Sequence, residues 1–278
     1  MAAIEDLTES LLTKEDIPTV LALTAEAGWN QTSADWLLMI REGHAICLRD
    51  QADRPVATAL ALPLGAQIGW ISMVLVTAAW RRKGLATRLV HHCAAWLEAK
   101  GRHALLDATP AGQKVYERMG FKTIAKMTRW EHAEPDGLCS PTIKVAAAAD
   151  LATIWQLDEA AFGVERPHIL EDLAGRGPAF VEQSGRGFVL GRRGRHALQI
   201  GPIVADDEAT ALALLDAALS RSCGPTFIDA FDLQDNFVEA LAARGFTRQR
   251  PFARMIRGQP RAFGEAKLAF AAAGPELG

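Results

Sequence analysis

Three consecutive cations, Arg81, Arg82 and Lys83, lie between an apolar run and a segment of helical periodicity. The N-terminal end of a helix carries the positive pole of its dipole, so cations there are locally unfavourable. The first backbone N–H groups of a helix have no partner within it and can bind an anion. Gly84 and Ala86 are small enough to let a ligand approach that backbone closely. The pattern therefore indicates a bound polyanion, most simply a pyrophosphate; a solvated basic turn is the alternative.

A second candidate for chemistry is Tyr116, the only tyrosine in the chain. A phenol has a pKa of about 10, so it holds its proton near neutral pH and acts as a general acid only when it is positioned and assisted. The alternative is an amphipathic core aromatic whose hydroxyl lies at the surface. Because no other tyrosine is present, substitution of Tyr116 tests the role of one residue cleanly.

The composition is that of an ordinary globular protein. The chain has 278 residues, of which 49% are hydrophobic and 23% charged. At about 150 residues per domain, this length predicts two domains with cores of their own. No apolar run reaches the roughly 18 to 20 residues of a membrane span, and residues 1–6 lack the features of a secretory signal. A net charge of −3 disfavours nucleic-acid binding through a basic surface.

The cysteines carry no metal or disulfide pattern. They are far apart, with no CxxC pair and no Cys/His cluster: Cys47, Cys93, Cys139 and Cys223. We therefore expect no metal, and we expect a reducing, cytoplasmic location. Neither a membrane nor a nucleic acid is an expected partner.

Strands and helices alternate along the first half of the chain, where short polar turns separate runs of apolar alternation. Helices are predicted at 16–27, 33–40, 83–100 and 110–118, and strands at 44–49, 56–64, 67–76, 103–108 and 121–130. Thr109 followed by Pro110 is a typical cap and first turn for the 110–118 helix. The chemistry-bearing residues thus lie between a strand and a helix, and on the next helix.

The second half repeats this order after a segment, 134–141, that is rich in proline and glycine and predicts a linker. Helices are predicted near 148–160, 167–174, 207–221 and 234–243, and strands near 142–145, 179–183, 187–192, 196–204, 226–229 and 246–256. Gly120-Phe121 and Gly245-Phe246 each follow a short helix and begin a strand, 125 residues apart. The chain therefore reads as two copies of one α/β unit.

Two motifs in the first half resemble those of the GNAT superfamily of N-acetyltransferases. Residues 81–86 resemble its Arg/Gln-x-x-Gly-x-Gly/Ala loop, and Val76 and Trp80 match the residues that usually precede it. Tyr116, four residues before Gly120, resembles the second signature. The second half looks like the degenerate acetyltransferase-like domain of YitH-type tandem proteins.

The resemblance implies an α/β (α+β) fold with two tandem GNAT-like domains. Each would hold a mixed, mostly antiparallel central sheet with splayed strands, flanked by helices. The expected bounds are 1–133 for a catalytic domain that binds acetyl-CoA, 134–141 for a linker, 142–258 for a degenerate domain and 259–278 for a C-terminal tail. The alanine-rich stretch 264–278 could form a short helix or a strand-like arm.

The resemblance also implies how acetyl-CoA, the acyl donor, would bind. Its pyrophosphate would lie on the backbone N–H groups of 82–87, and its pantetheine would pair like an extra strand with the end of 70–76. A backbone N–H near Val74 or Leu75 could stabilise the oxyanion, and Tyr116 would protonate the leaving thiolate. The expected cofactor-binding residues are Val74, Leu75, Val76, Arg81, Arg82, Lys83, Gly84, Leu85, Ala86 and Thr87.

The 70–76 strand supplies no general base for the acceptor amine, because it contains no carboxylate. Asp107 is a candidate base, with a structural cap near Thr109 as the alternative. An acceptor pocket is expected from Trp29, Asn30 and Asp35, together with Asp107, because aromatic walls and an acid suit a cationic amine. The alternative for that segment is a helix cap beside a buried tryptophan.

The second half is expected to lack an active site of its own. Asp206, Asp207 and Glu208 occupy the start of a predicted helix, where they satisfy its dipole and repel an anion. Leu241 stands at the position that matches Tyr116. A basic stretch is expected to form a solvated strand-turn face, with an effector-anion patch as the alternative: Arg186, Arg192, Arg193 and Arg195.

These observations predict an acyl-CoA-dependent N-acetyltransferase that moves an acetyl group to a primary amine of a small metabolite by direct attack. The alternatives are a CoA-ester-binding regulatory or sensor module with little turnover, and acetylation of a protein lysine or N-terminus. The expected partner is a small-molecule amine acceptor, and a homodimer is a candidate assembly.

Overall fold

The computed structural model describes residues 4–278, which contain eight α-helices and thirteen β-strands. The chain divides into two compact units, Met1–Leu106 and Asp107–Gly278. Each unit has a sheet with helices packed against it, and most neighbouring strands are antiparallel. The expected mixed α/β class is confirmed.

The first unit is a five-stranded sheet in the order β1-β2-β3-β4-β5. Its elements are β1 (Thr8–Leu11), α1 (Ile17–Glu26), α2 (Ser33–Glu42), β2 (His44–Arg49), β3 (Pro55–Leu64), β4 (Ile68–Val76), α3 (Leu85–Glu98) and the start of β5 (His103–Ala108). Apolar positions at helical spacing bury one face of α3, and a side chain at Gly69 of β4 would overlap Leu97 of that helix. Glycine therefore lets α3 lie close on the sheet.

β4 has a bulge and a short parallel pairing. Thr58 pairs with Leu75 and Leu60 with Ser72, so two β4 residues lie opposite one residue of β3. Met73, at the bulge, has a left-handed φ of 51°, and its carbonyl oxygen accepts a hydrogen bond of 2.7 Å from the Thr58 hydroxyl. On its other side, β4 pairs with β5 only at 68–70. Residues 71–76 therefore keep backbone pairing on one side only among the described strands.

The second unit continues the alternation of helices and strands. Its elements are α4 (Pro110–Glu117), β6 (Phe121–His132), β7 (Ile143–Val145), α5 (Leu151–Phe162), α6 (Pro167–Arg176), β8 (Ala179–Glu182), β9 (Gly187–Arg193), β10 (Leu198–Ala205), α7 (Glu208–Leu219), β11 (Thr226–Phe231), α8 (Asp235–Ala243), β12 (Thr247–Arg257) and β13 (Ala269–Ala271). The strand order is β12-β6-β11-β13-β10-β9-β8-β7, with a further β10–β11 pairing. Helix α7 packs on β8, β9 and β10, and its buried apolar residues belong to a hydrophobic core of this unit.

The two compact units divide between Leu106 and Asp107, not at the predicted linker 134–141. β6 pairs antiparallel with β11 along 127–132 and with β12 along 121–131, so its backbone hydrogen bonds belong to the second unit. The strands with which β6 pairs are set by contacts that are distant in sequence. The predicted domain bounds stay a prediction.

The predicted helices and strands are found with ends shifted by a few residues. The helix expected from 83 begins at Leu85, because Gly84 takes a left-handed φ of 79° and caps it. Two strands were not predicted. β1 is a mostly exposed edge strand of four residues, and β13 has only three residues, so neither shows a clear apolar alternation. In residues 4–278, no helix is long and apolar enough to cross a membrane.

A buried ion pair ties β6 to β11. Arg129 and Asp229 are 3% and 0% exposed, and the guanidinium donates two hydrogen bonds, of 2.8 and 2.7 Å, to the carboxylate. Gln199 of β10 donates to the same carboxylate at 3.0 Å. Such a pair costs desolvation energy, but removal of one partner leaves an uncompensated buried charge.

We predict that Asp229→Ala lowers the free energy of unfolding by about 3 to 5 kcal/mol, because Arg129 would then be buried without its carboxylate. Asp206→Ala is the control, since its pair with Arg186 is about half exposed and such pairs contribute about 1 kcal/mol or less. Urea unfolding followed by circular dichroism measures both variants. Equal losses in the two would contradict the assignment of Asp229 as a core partner.

Candidate active site

The loop between β4 and α3 forms the most distinctive backbone of the first unit. Thr77 N–H donates to Val56 O at 3.0 Å, and a short 3-10 turn covers Ala78–Trp80. Arg82 then adopts a left-handed φ of 60°, which is uncommon for a residue with a side chain, and Gly84 follows at 79°. The loop therefore turns twice in the left-handed region just before the helix begins.

This conformation leaves a run of backbone donors without internal partners. Among the described residues, none of the six backbone N–H groups of 82–87 donates a hydrogen bond to another protein group. The first-turn groups of α3 have no acceptor within the helix. Successive N–H groups in such turns form a concave anion site, and the helix dipole favours negative charge there. The expected pyrophosphate loop therefore has the donors that it needs.

The three cations of the loop have different environments. Arg81 turns back onto the protein, where its Nε donates to Val76 O at 3.0 Å and its second guanidinium nitrogen donates to Glu26 at 2.9 Å. Lys83 lies over the Trp80 ring, with Nζ 4.4 Å from the ring centroid. Arg82 is exposed. All three side chains are exposed, but of the three only Arg81 pairs with a carboxylate among the described residues.

Glu26, at the end of α1, holds the loop and was missed by sequence reasoning. One of its carboxylate oxygens accepts hydrogen bonds from Ala78 N–H at 2.6 Å and from the Arg81 guanidinium. Nothing in the sequence links a glutamate of the first helix to residues more than fifty positions later. The contact joins the end of α1 to the loop between β4 and α3.

The predicted pantetheine strand lies directly before this loop. Val74 and Val76 are half-buried and Leu75 is buried. Since 71–76 pair with β3 alone, the other edge of β4 presents backbone groups to which an extended ligand arm can pair. All ten predicted cofactor-binding residues thus lie in one continuous stretch of the first unit.

Tyr116 belongs to the second unit, on α4. It is half-buried, its ring centroid lies 6.0 Å from that of Phe121, and a Cβ at Gly112 would meet the ring at 3.0 Å. Burial disfavours the charged phenolate and raises the pKa of Tyr116 to about 12. The phenol therefore holds its proton throughout the neutral range.

Asp107, at the end of β5, is paired with β12. Both of its carboxylate oxygens accept hydrogen bonds of 3.0 Å from Arg254, and burial raises the pKa of this carboxyl. The alternative of a cap near Thr109 is wrong, since Thr109 caps α4 with its own hydroxyl, at 3.3 Å from Gly112 N. A role for Asp107 in acceptor binding or proton transfer stays a prediction.

The other acceptor candidates lie at the start of α2. The Asp35 carboxylate accepts from the backbone N–H and the hydroxyl of Thr32, at 2.7 and 2.9 Å, in a capping box. Trp36 is fully buried and donates to Thr24 at 2.9 Å. The alternative of a helix cap beside a buried tryptophan is thus confirmed. A substrate role for Trp29, Asn30 and Asp35 stays a prediction.

The acidic helix start of the second unit has the expected geometry. Asp207 caps α7 by accepting from Thr210 N–H at 2.8 Å, and Arg186 pairs with both Asp206 and Asp207. The cap and the pairs lower the pKa of Asp207, so it stays charged. The basic stretch is solvated at Arg186, Arg193 and Arg195. The expectation is wrong for Arg192, which is 3% exposed and paired with Glu276, because its position on β9 faces the interior.

Comparison with protein families identifies both halves of the chain. A family model described as "Acetyltransferase (GNAT) family" matches residues 10–121, and one described as "Acetyltransferase (GNAT) domain" matches 154–271. Two GNAT acetyltransferase domains lie in tandem in this chain. The resemblance inferred from the loop and the Gly-Phe signatures is therefore confirmed. No curated protein matches the sequence.

Solved structures show the same fold over nearly the whole chain. A proposed acetyltransferase from Pyrococcus horikoshii aligns with a TM-score of 0.87 at 18% identity, over 100% of this chain and 98% of that one. A tandem GNAT protein from the clavulanic acid biosynthesis pathway aligns at 0.67 and 15%, over 92% and 100%. A GCN5-related N-acetyltransferase from Sphaerobacter thermophilus aligns at 0.64 and 14%, over 94% and 98%. At these identities the likeness shows the GNAT fold alone.

The single tyrosine makes its pKa directly measurable. Ultraviolet titration at the tyrosinate band is expected to show a midpoint near 12, because burial opposes ionisation of Tyr116. Circular dichroism at each pH confirms that the chain stays folded. A midpoint near the ordinary value of about 10 would contradict the buried position of the phenol.

Proposed function

We propose that the chain is an N-acetyltransferase that moves an acetyl group from acetyl-CoA to a primary amine of a small metabolite. The observation that carries the proposal is the run of six backbone N–H donors at 82–87, next to the edge of β4 that has no strand partner. GNAT domains use an acyl-CoA donor, whose pyrophosphate suits the N–H groups of 82–87 and whose pantetheine suits the strand edge. In the described residues, no cluster of three or more His, Cys, Asp or Glu could hold a metal.

The donor would be bound mainly by backbone. The N–H groups of 82–87 would hold the pyrophosphate, with Arg82 and Lys83 adding positive charge. The free edge at Val74–Val76 would pair with the pantetheine as a strand does. Glu26 and Arg81 hold the loop that joins these two parts, so the donors are placed before a ligand arrives.

The reaction needs an attack by a neutral amine on the thioester carbonyl. A C–N bond forms, the C–S bond breaks, and the sulfur leaves with the electron pair. A backbone N–H near Val74 or Leu75 would stabilise the oxyanion. As the amide forms, its nitrogen loses one proton to water, and Tyr116 would protonate the leaving thiolate and regain a proton from solvent. Its raised pKa keeps the phenol protonated, although proton transfer to a thiolate is then uphill and needs close positioning.

Two glycines allow a matched test of the loop. Gly84 and Gly101 have left-handed φ values of 79° and 71°, and a Cβ at either would meet no atom within 4 Å. Glutamate at either site therefore brings the same backbone strain and the same charge. We predict that Gly84→Glu weakens acetyl-CoA binding tenfold or more, because like charges repel, whereas Gly101→Glu leaves it unchanged. Equilibrium dialysis measures both; equal effects would count against the loop as the binding site.

Tyr116→Phe separates the enzyme from a binding module. We expect turnover of an accepted amine to fall by about a hundredfold or more, while acetyl-CoA affinity stays within twofold. Release of the CoA thiol, followed across a panel of primary amines, measures turnover. An unchanged rate would reject Tyr116 as the acid. If no amine in the panel is acetylated by the wild type, the CoA-ester-binding module is favoured, consistent with the lack of a carboxylate at 70–76.

Acetylation of a protein lysine or N-terminus is the remaining alternative. A peptide panel beside the amine panel distinguishes it. Faster turnover of peptides than of free amines would replace the small metabolite as the acceptor class.

A further inference from the structure

The two GNAT domains share one local arrangement at the strand opening. β4 pairs in parallel with β5 over three residues, and β10 pairs with β11 in the same way. Helix α3 connects the first pair of strands, and α7 connects the second. β10 carries a bulge as β4 does, since Ile200 pairs with Gly191 and Ile203 with Val189 of β9. Counted from the bulge, Ile203 takes the position of Leu75. The second domain therefore has the opening at which the first would take pantetheine.

In the second domain a strand of the same chain lies in that opening. Ala271 of β13 pairs with Ile203 of β10 and also with Ala230 of β11, so β13 lies between the two strands where their own pairing ends. Ala272 N–H continues the ladder and donates to Asp229 O at 2.9 Å. This segment thus makes the backbone contacts that an acyl-pantetheine arm would make.

Close packing fits the segment to the opening. Ala271, Ala272 and Ala273 are buried, with exposures of 0 to 3%. A Cβ at Gly201, on the β10 bulge, would overlap the carbonyl oxygen of Ala272. Small residues on both sides therefore let the two backbones meet.

Polar groups fix the residues that follow β13. Arg192 pairs with Glu276 and donates to Ala273 O at 2.5 Å. Arg166 donates to Leu277 O at 2.9 Å and to Gly278 O at 2.7 Å, while its other nitrogens pair with Asp158. Each buried guanidinium thus has a carboxylate, and both bind the 269–278 segment.

We propose that the strand opening of the second domain is a peptide site whose occupant is the chain's own 269–278 segment, which takes the place of an acyl-CoA arm. The acidic start of α7 supports this, because Asp207 already caps the helix at which a pyrophosphate would bind. The chain then binds one acyl-CoA, in its first domain, and this last point rests on the proposed function.

Hydrogen–deuterium exchange on the full chain tests the proposal. The amides of 269–273 should exchange at least about a hundredfold more slowly than those of an unstructured peptide, and saturating acetyl-CoA should not change them. Acetyl-CoA should slow exchange at 82–87. Fast exchange at 269–273, or acceleration there by acetyl-CoA, would overturn the proposal. Slow, unaltered exchange at 269–273 without any effect at 82–87 would reject only the proposed function.

Charge reversal provides a matched pair of variants. Glu276→Lys places a second positive charge beside the buried Arg192. The two charges repel, so exchange at 269–273 should accelerate tenfold or more. Glu265→Lys is the control, because Glu265 is 58% exposed and pairs only with Lys267 among the salt bridges of residues 4–278; it should leave 269–273 unchanged. Acetyl-CoA should bind once per chain in both variants. A second equivalent bound by Glu276→Lys would mean that the segment merely covers a working acyl-CoA site, and would overturn the proposal.

Discussion

β4 and β5 pair over three residues, 68–70 with 103–105, and then their pairing stops. Backbone groups beyond that point need partners, because an unpaired buried N–H or C=O group is costly. At the same end of β4, the loop and the first turn of α3 leave six further N–H groups without an acceptor in residues 4–278. One edge of β4 and the start of α3 thus carry backbone groups without protein partners among the described residues. The proposed acyl-CoA donor, an extended ligand with an anionic end, would pair with both.

In the second domain, residues of the same chain supply the partners that these backbone groups need. There the strand opening contains β13, and the helix start is capped by an aspartate. The buried arginines follow one rule, since Arg129, Arg166 and Arg192 each face a carboxylate that offsets part of the desolvation cost. In the second domain β13 thus lies at the strand opening and Asp207 caps the helix start, whereas in the first domain no described strand pairs with that edge of β4.

Most helices and strands, the loop at 81–86 and the cap of α7 could be predicted from the sequence, because each depends on residues close together in the chain. Helical and strand periodicity located most elements, and the Arg-x-x-Gly-x-Ala spacing located the loop that carries the six backbone donors. The acidic residues at 206–208 indicated the cap on α7. Features set by contacts distant in sequence could not be predicted. Glu26 holds a loop more than fifty residues away, Arg192 is buried by a partner 84 positions later, and β13 is recognisable as a strand only when β10 and β11 lie on either side. The pairing of β6 with β11 likewise depends on residues far apart in the sequence.

We assign one open acyl-CoA site to this chain, although it has two GNAT domains. Calorimetric titration of acetyl-CoA into the purified full chain tests that assignment most directly, because it counts sites without needing the acceptor amine. We predict a stoichiometry of one acetyl-CoA per chain. Two sites per chain would contradict the closed second domain, and no binding would contradict the role of the loop at 82–87.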